Sequence, residues 1–251
     1  MPPFADLHSG NLAVTLPNLD RYNEADLLFS LEPPECTAVL PLDAADQTDS
    51  LQAYVVLPVT LGVLLREDPT ILEESQLTIK ILDFRNAFRE CDQRLLLHTP
   101  PYIRAPEIEI WERSQGKVAR DWGIPADIWS LGCTIYEIVW YYIFFYVWGN
   151  KDNLMAETIK YAGGFPPEWQ EYIKEPQDAK DPNVDTDALW EERRNRLAGH
   201  CPEGKSQSLW DENTRLLVDM IRKMMRTDPR KRYSVESLLD HPWFAVQGMK
   251  M

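Results

Sequence analysis

Eleven consecutive residues, Ile138 to Trp148, carry no charge. They are too few to cross a bilayer, which takes about 20 residues, and extending them backwards meets Glu137, Thr134 and Ser130. A run this apolar that does not lie in lipid has to be buried in protein. With the residues from Ala126 onward it reads as one long helix, 126–148, at the centre of a core. Such a helix needs packing partners around it, and the rest of the chain has to supply them.

The partners are mostly helical. Asp211 can cap a helix running to about Met225, with Leu216, Leu217, Met220, Ile221 and Met224 on one face. Arg222, Lys223 and Arg226 fall near its end, where the helix dipole favours cations. Ser234 can cap a last short helix that stops before Pro242. Strand signals are few: Leu77–Leu82 alternates, and Tyr54–Leu65 is apolar but broken by Pro58, so it is at best an irregular or edge strand. Residues 18–50 read as loop with a short helix near Glu24–Leu31, and 176–187 as a Pro- and Asp-rich loop. The predicted fold class is α+β and mostly helical, without internal repeats. At 251 residues the chain makes one large domain or two small ones and is not a disordered or fibrous protein.

Charge and cysteines narrow the function classes. A net charge of -14 argues against a general nucleic-acid binder, which needs a basic face. Cys36, Cys91, Cys133 and Cys201 lie far apart with no CxxC pair, which disfavours a disulfide scaffold or a zinc ribbon. Reduced thiols of the cytoplasm or nucleus are expected. The start of the chain shows no basic region followed by an apolar one, so no signal peptide and no membrane association are expected. The charge is lopsided: residues 1–75 hold 13 acids and 2 Arg, and the remainder is nearly balanced.

Three short signals follow one another. Asp6-Leu7-His8-Ser9-Gly10-Asn11 sets an Asp five positions before an Asn, the spacing of a phosphotransfer loop in which the Asp takes or orients a hydroxyl proton and the Asn binds a metal on the nucleotide phosphates. An ordinary Asx-rich turn has the same spacing. Ile81-Leu82-Asp83-Phe84-Arg85 delivers an Asp at the end of a strand, either a metal-binding Asp-Phe segment or a plain strand-to-turn Asp. The third signal is an ordered set: Arg104-Ala105-Pro106-Glu107, Ala126-Asp127-Ile128-Trp129-Ser130-Leu131-Gly132, Asp228-Pro229-Arg230-Lys231-Arg232 and His241-Pro242-Trp243-Phe244.

On these residues the chain resembles the C-terminal lobe of a eukaryotic protein kinase, over about residues 4–244. The resemblance implies that Asp6 is the catalytic base, that Asn11 and Asp83 hold magnesium on ATP, and that Glu107 and Arg232 form a buried ion pair. It further implies that Asp127 opens the central helix and bonds the catalytic-loop backbone. Asn86-Ala87 after the Asp-Phe-Arg segment, and Arg104 before Ala-Pro-Glu, resemble the SR-protein kinases and their fungal relatives. Several positions depart from the family pattern. Arg85 stands in place of a Gly, which would set a cation beside the metal site. His8 stands where a Ser/Thr kinase has a Lys that contacts the transferred phosphate. Phe4-Ala5 replace the His-Arg ahead of the catalytic Asp.

No Gly-rich phosphate loop and no strand Lys of the kinase type are found, so the upper lobe is expected to be missing. The expected organisation is a partial kinase domain over 1–244 from the catalytic loop onward, an acidic insertion at about 18–76 inside a Leu12–Leu16/Leu77–Leu82 hairpin, and a tail at 245–251. The function this implies is ATP- and Mg2+-dependent phosphorylation of a protein Ser or Thr, in an Arg/Ser-rich substrate if the SR-kinase likeness holds. Two alternatives stay open: a non-catalytic lower-lobe module that binds protein partners, and a small-molecule kinase of the aminoglycoside or choline type, whose loop wording is similar. The acidic segment is either a solvated spacer or an attractor of Arg-rich peptides.

Overall fold

The computed structural model describes residues 6–16, 18–31, 35–41, 50–58, 61–72, 77–87, 99–120, 122–146, 151–173 and 185–245. The chain divides into two units, residues 12–81 and residues 1–11 with 82–251.

The smaller unit is built from short elements. Strand β1 (Leu12–Val14) pairs antiparallel with β4 (Ile79–Ile81), Leu12 opposite Ile81, and β2 (Cys36–Ala38) pairs with β3 (Tyr54–Val56), Cys36 opposite Val56. Helix α1 (Glu24–Ser30) is capped by Asn23, whose side chain accepts from the amide of Asp26. The stretch read as an irregular strand keeps strand geometry only to Val56. Beyond Pro58 the chain forms helix α2 (Gly62–Glu67), which buries Leu64, and then a 3-10 turn at Pro69–Leu72, which buries Ile71. Asp68 is the polar anchor. It accepts from Arg21 Nη2 (2.6 Å), Tyr22 Oη and Thr70 Oγ1, and the Thr70 hydroxyl, with Tyr22, holds its carboxyl at about 2.

The larger unit contains α3 (Pro106–Arg113), α4 (Ile124–Trp140), α5 (Lys151–Ala162), α6 (Thr186–Ala198), α7 (Gln207–Met224), α8 (Val235–Leu239) and α9 (Pro242–Ala245). Its axis is α4, which buries Trp129, Cys133, Tyr136 and Trp140. Gly132 is the point of closest approach: a Cβ there would lie 3.0 Å from Met225 Cγ and 3.2 Å from Met224 Cβ, at the end of α7. Helix α4 stops at Trp140, short of the predicted 148. Tyr141 takes a left-handed φ of 61°, and the chain folds back so that Phe145 stacks on Trp129 at 5.7 Å and Phe144 meets Tyr136 edge-on at 4.6 Å. The uncharged run is therefore part helix and part aromatic turn. Arg193 of α6 caps that turn, its Cζ 4.1 Å from the Phe144 ring and 4.4 Å from Tyr161.

Helix α7 begins at Gln207, four residues before the predicted cap. Asp211 accepts from the Gln207 side chain (2.8 Å) instead, and Trp210 draws the first turn onto the core by donating from Nε1 to the Leu197 carbonyl (3.2 Å). The predicted apolar face of α7 is buried from Leu216 to Met224, and Ser234 caps α8 through the Ser237 amide. Helix α6 begins inside the stretch read as loop, because Asp185 caps it by accepting from Asp187 and Ala188. Among the described residues no helix is long and apolar enough to cross a membrane.

Candidate active site

The segment from Asp6 to Asn11 closes on itself. Ser9–Asn11 is a single 3-10 turn held by the Asn11 amide on the His8 carbonyl (2.9 Å), and Asn11 Nδ2 donates to the Asp6 carbonyl (2.9 Å). The five-residue spacing is thus spent on a compact loop in which the Asn11 side chain closes back on the Asp6 backbone. Helix α4 carries this loop from below. Ser9 Oγ donates to Glu137 Oε1 (3.0 Å), and Thr134 Oγ1 lies 3.5 Å from the Leu7 carbonyl.

The Asp83 segment joins the loop at two points. The Leu82 amide donates to the Asn11 carbonyl (2.8 Å), and Asn86 Nδ2 donates to Asp6 Oδ2 (2.8 Å) across 80 positions of sequence. Between these ties Asp83 adopts a left-handed φ of 56° and caps the turn Phe84–Asn86.

Asp6 is buried, 6% exposed. Its Oδ2 is satisfied by Asn86, whereas Oδ1 has no hydrogen-bond partner among the described residues and faces His8 Nε2 at 3.8 Å. A buried carboxylate oxygen without a donor is unfavourable on its own, and this one is free to accept from a group that enters the site. The Gly10 amide donates to His8 Nδ1 (3.1 Å), so in the neutral ring the proton sits on Nε2, the nitrogen turned to Asp6. Gly10 permits that ring position, since a Cβ there would lie 2.9 Å from the imidazole.

Asp83 is held by its neighbour. Arg85 donates from Nε to Oδ1 and from Nη2 to Oδ2, both at 2.8 Å. This fork, ahead of the Arg85 backbone amide, holds the Asp83 carboxyl at about 2. Among the described residues no cluster of three or more His, Cys, Asp or Glu could cage a metal. A site built on the Asp83 carboxylate and the Asn11 amide oxygen would suit a hard cation such as Mg2+, which takes few protein oxygens and completes its shell with water and phosphate. These residues fit such an ion, provided Arg85 yields an oxygen of Asp83.

Below the site, Glu107 at the start of α3 and Arg232 form a bidentate pair at 2.6 and 2.6 Å, their side chains 1% and 0% exposed. Arg104 donates from Nε and Nη2 to the Thr99 carbonyl and from Nη1 to Glu112 (3.2 Å), tying the chain ahead of α3 to α3 itself. Asp127 lies half-buried in the first turn of α4. The stretch of loop ahead of Asp6 falls outside the described residues. Asp6, His8, Asn11 and Asp83 thus come together, with Glu107, Arg104, Asp127 and Arg232 in the scaffold. Sequence reasoning missed Asn86, Thr134 and Glu137 as site residues. A lone acid at the border of an uncharged helical run was the one available signal for Glu137.

Residues 68–244 match the protein kinase domain family. The chain belongs to the protein kinase family. Mouse dual specificity protein kinase CLK1 is 28% identical over 185 residues, 71% of this chain and 35% of CLK1. Arabidopsis thaliana serine/threonine-protein kinase AFC2 is 27% identical over 202 residues, 76% of this chain and 44% of AFC2. The chain thus spans less than half the length of these curated relatives. The CAK complex of Chaetomium thermophilum bound to ATP-gamma-S contains a chain 19% identical, covering 69% of this chain and 49% of its own length at a TM-score of 0.49, too loose a likeness to build on. The family match begins after the Asp6–Asn11 loop, so that loop is read from its own geometry.

Proposed function

We propose that this chain is the catalytic-loop-onward part of a serine/threonine protein kinase of the SR-protein-kinase-like type, with an acidic insertion at about 18–76, working in the cytoplasm or nucleus. It transfers the γ-phosphoryl of ATP to a hydroxyl of an Arg/Ser-rich protein substrate. The observation that carries this is the double tie between the Asp6 loop and the Asp83 segment, Asn86 to Asp6 Oδ2 and Leu82 to Asn11. It supports a reading in which Asp6 as proton acceptor and Asp83 as metal ligand work side by side, which is what phosphoryl transfer requires.

The residues divide the work. Asp6 Oδ1 accepts the proton of the attacking hydroxyl, while Asn86 fixes the carboxylate by its other oxygen. Asn11 and Asp83 would hold Mg2+, which when bound neutralises charge on the phosphates. His8 sets Nε2 3.8 Å from Asp6 Oδ1, beside the proton acceptor. Glu137 keeps the loop seated on α4 by accepting from Ser9.

The test is phosphate transfer from labelled ATP to an Arg/Ser peptide by the protein expressed from its complete gene. Asp6→Asn should lower the rate by about 100-fold or more, the range for loss of a general base, and equal rates in parent and variant would refute the assignment. The Arg85 fork on Asp83 favours a second reading, a non-catalytic lower-lobe module. Absence of transfer together with calorimetric silence toward Mg-ATP would support it.

A further inference from the structure

Arg85 has no part in the reaction just described, yet it takes both oxygens of the carboxylate on which the metal site depends. We propose that Arg85 is a tethered cation that occupies the metal position on Asp83, so that a divalent ion binds only by displacing it. The inference rests on the assignment of Asp83 as a metal ligand.

The geometry supports exclusion rather than coexistence. Two guanidinium nitrogens lie 2.8 Å from the two carboxylate oxygens, a fork that engages both oxygens on the side facing Arg85. Mg2+ needs an oxygen at about 2.0–2.1 Å, so an ion on the same side of the carboxylate would stand in the space the fork fills. A guanidinium and a dication at one carboxylate also repel each other. The tether is two residues long, and the left-handed turn at Asp83 aims the carboxylate along the turn at Arg85, so Arg85 is held close to Asp83 at high effective concentration. Asp6 adds its attraction for the Arg85 charge. The competitor is nonetheless displaceable. The Arg85 side chain is 87% exposed, and leaving Asp83 returns it to water without disturbing any core contact.

Mn2+ alone, titrated into the full chain with the free ion read by electron paramagnetic resonance, tests this. Exposed ion pairs are weak and cation repulsion adds to them, so Arg85→Gln and Arg85→Gly should each bind Mn2+ about three- to tenfold more tightly than the parent. The gain should vanish when Asp83→Asn is added. Both replacements sit on an exposed side chain, and unchanged circular dichroism verifies the fold. Equal Mn2+ affinity in parent and Arg85 variants, lost in Asp83→Asn, would overturn the competition while leaving Asp83 a ligand. Binding that is insensitive to Asp83 in every variant would overturn the metal assignment and this inference with it.

Discussion

Removing Arg232 should destabilise the larger unit more than any surface change. Its five guanidinium N–H groups all have acceptors: Arg226 O (2.6 Å), Glu107 Oε1 (2.6 Å) and Oε2 (2.6 Å), Pro125 O (2.8 Å) and Thr227 O (3.3 Å). The cation also lies 5.0 Å from the Trp129 ring. Arg232→Met strands the Glu107 carboxylate in a site 1% exposed and leaves three carbonyls short of a donor. Breaking one partner of such a pair costs about 3–5 kcal/mol, a large share of the roughly 5–15 kcal/mol that holds a domain folded. At about 2–4 °C per kcal/mol for a domain this size, the midpoint should fall by about 6–20 °C. Glu107→Gln should cost a similar amount, because it strands the guanidinium instead. The double variant Glu107→Leu/Arg232→Met should cost clearly less than the two singles added, since it removes both charges together. Urea unfolding followed by tryptophan fluorescence reads this cleanly. All nine tryptophans stand at or after Trp111, within the larger unit. Singles within about 1 kcal/mol of the parent, or a double variant equal to their sum, would show that the pair is not what locks α3 to the end of the domain.

Gly132→Ala would be stabilising on helix propensity alone, by about 1 kcal/mol, but the contacts at 3.0 and 3.2 Å with Met225 and Met224 should reverse the sign to a loss of about 1–3 kcal/mol. In a Met225→Ala background the loss caused by Gly132→Ala should shrink, and a stabilised Gly132→Ala single variant in urea melts would contradict the packing. Asp228 is buried and its carboxyl is held below the usual range by the Arg230 side chain and then the Arg230 amide. The stabilisation it gives is therefore complete above its unfolded pKa of about 3.9 and is lost as pH falls through the lower folded value. The urea midpoint of Asp228→Asn should trail the parent at pH 6 by a gap that narrows as the pH falls below about 3.9, and a gap of constant size would show that the charge is not responsible.

Much of this architecture was legible in the chain. The uncharged run from Ile138 marked the central element, because an apolar run too short to cross lipid is buried within the protein. Its end was not legible. Aromatic residues continue past Trp140, and only packing of Phe144 and Phe145 against Trp129 and Tyr136 decides that they belong to a turn. The start of α7 was misplaced for a related reason. Asp211 is a good cap in isolation, but the burial of Trp210 pulls the helix four residues further back. Local preference yields about 1 kcal/mol at a cap, and an indole finding a core slot outweighs it.

The candidate site divides in the same way. By itself the sequence determined which side chains are present: an Asp and an Asn five apart, a second Asp after a strand, an acid and a base suited to a buried pair. Residue types and short spacings are local properties, and they carry the family signature. What only the tertiary structure decided is which of these groups meet and what each is doing. It sets Asn86 on one oxygen of Asp6 and leaves the other without a donor among the described residues, turns His8 onto the Gly10 amide, and closes the Arg85 fork on Asp83. The physical reason is that a hydrogen bond between residues 80 positions apart depends on the path of everything between them, which no short-range pattern encodes, whereas its distance and direction follow at once when the chain is folded.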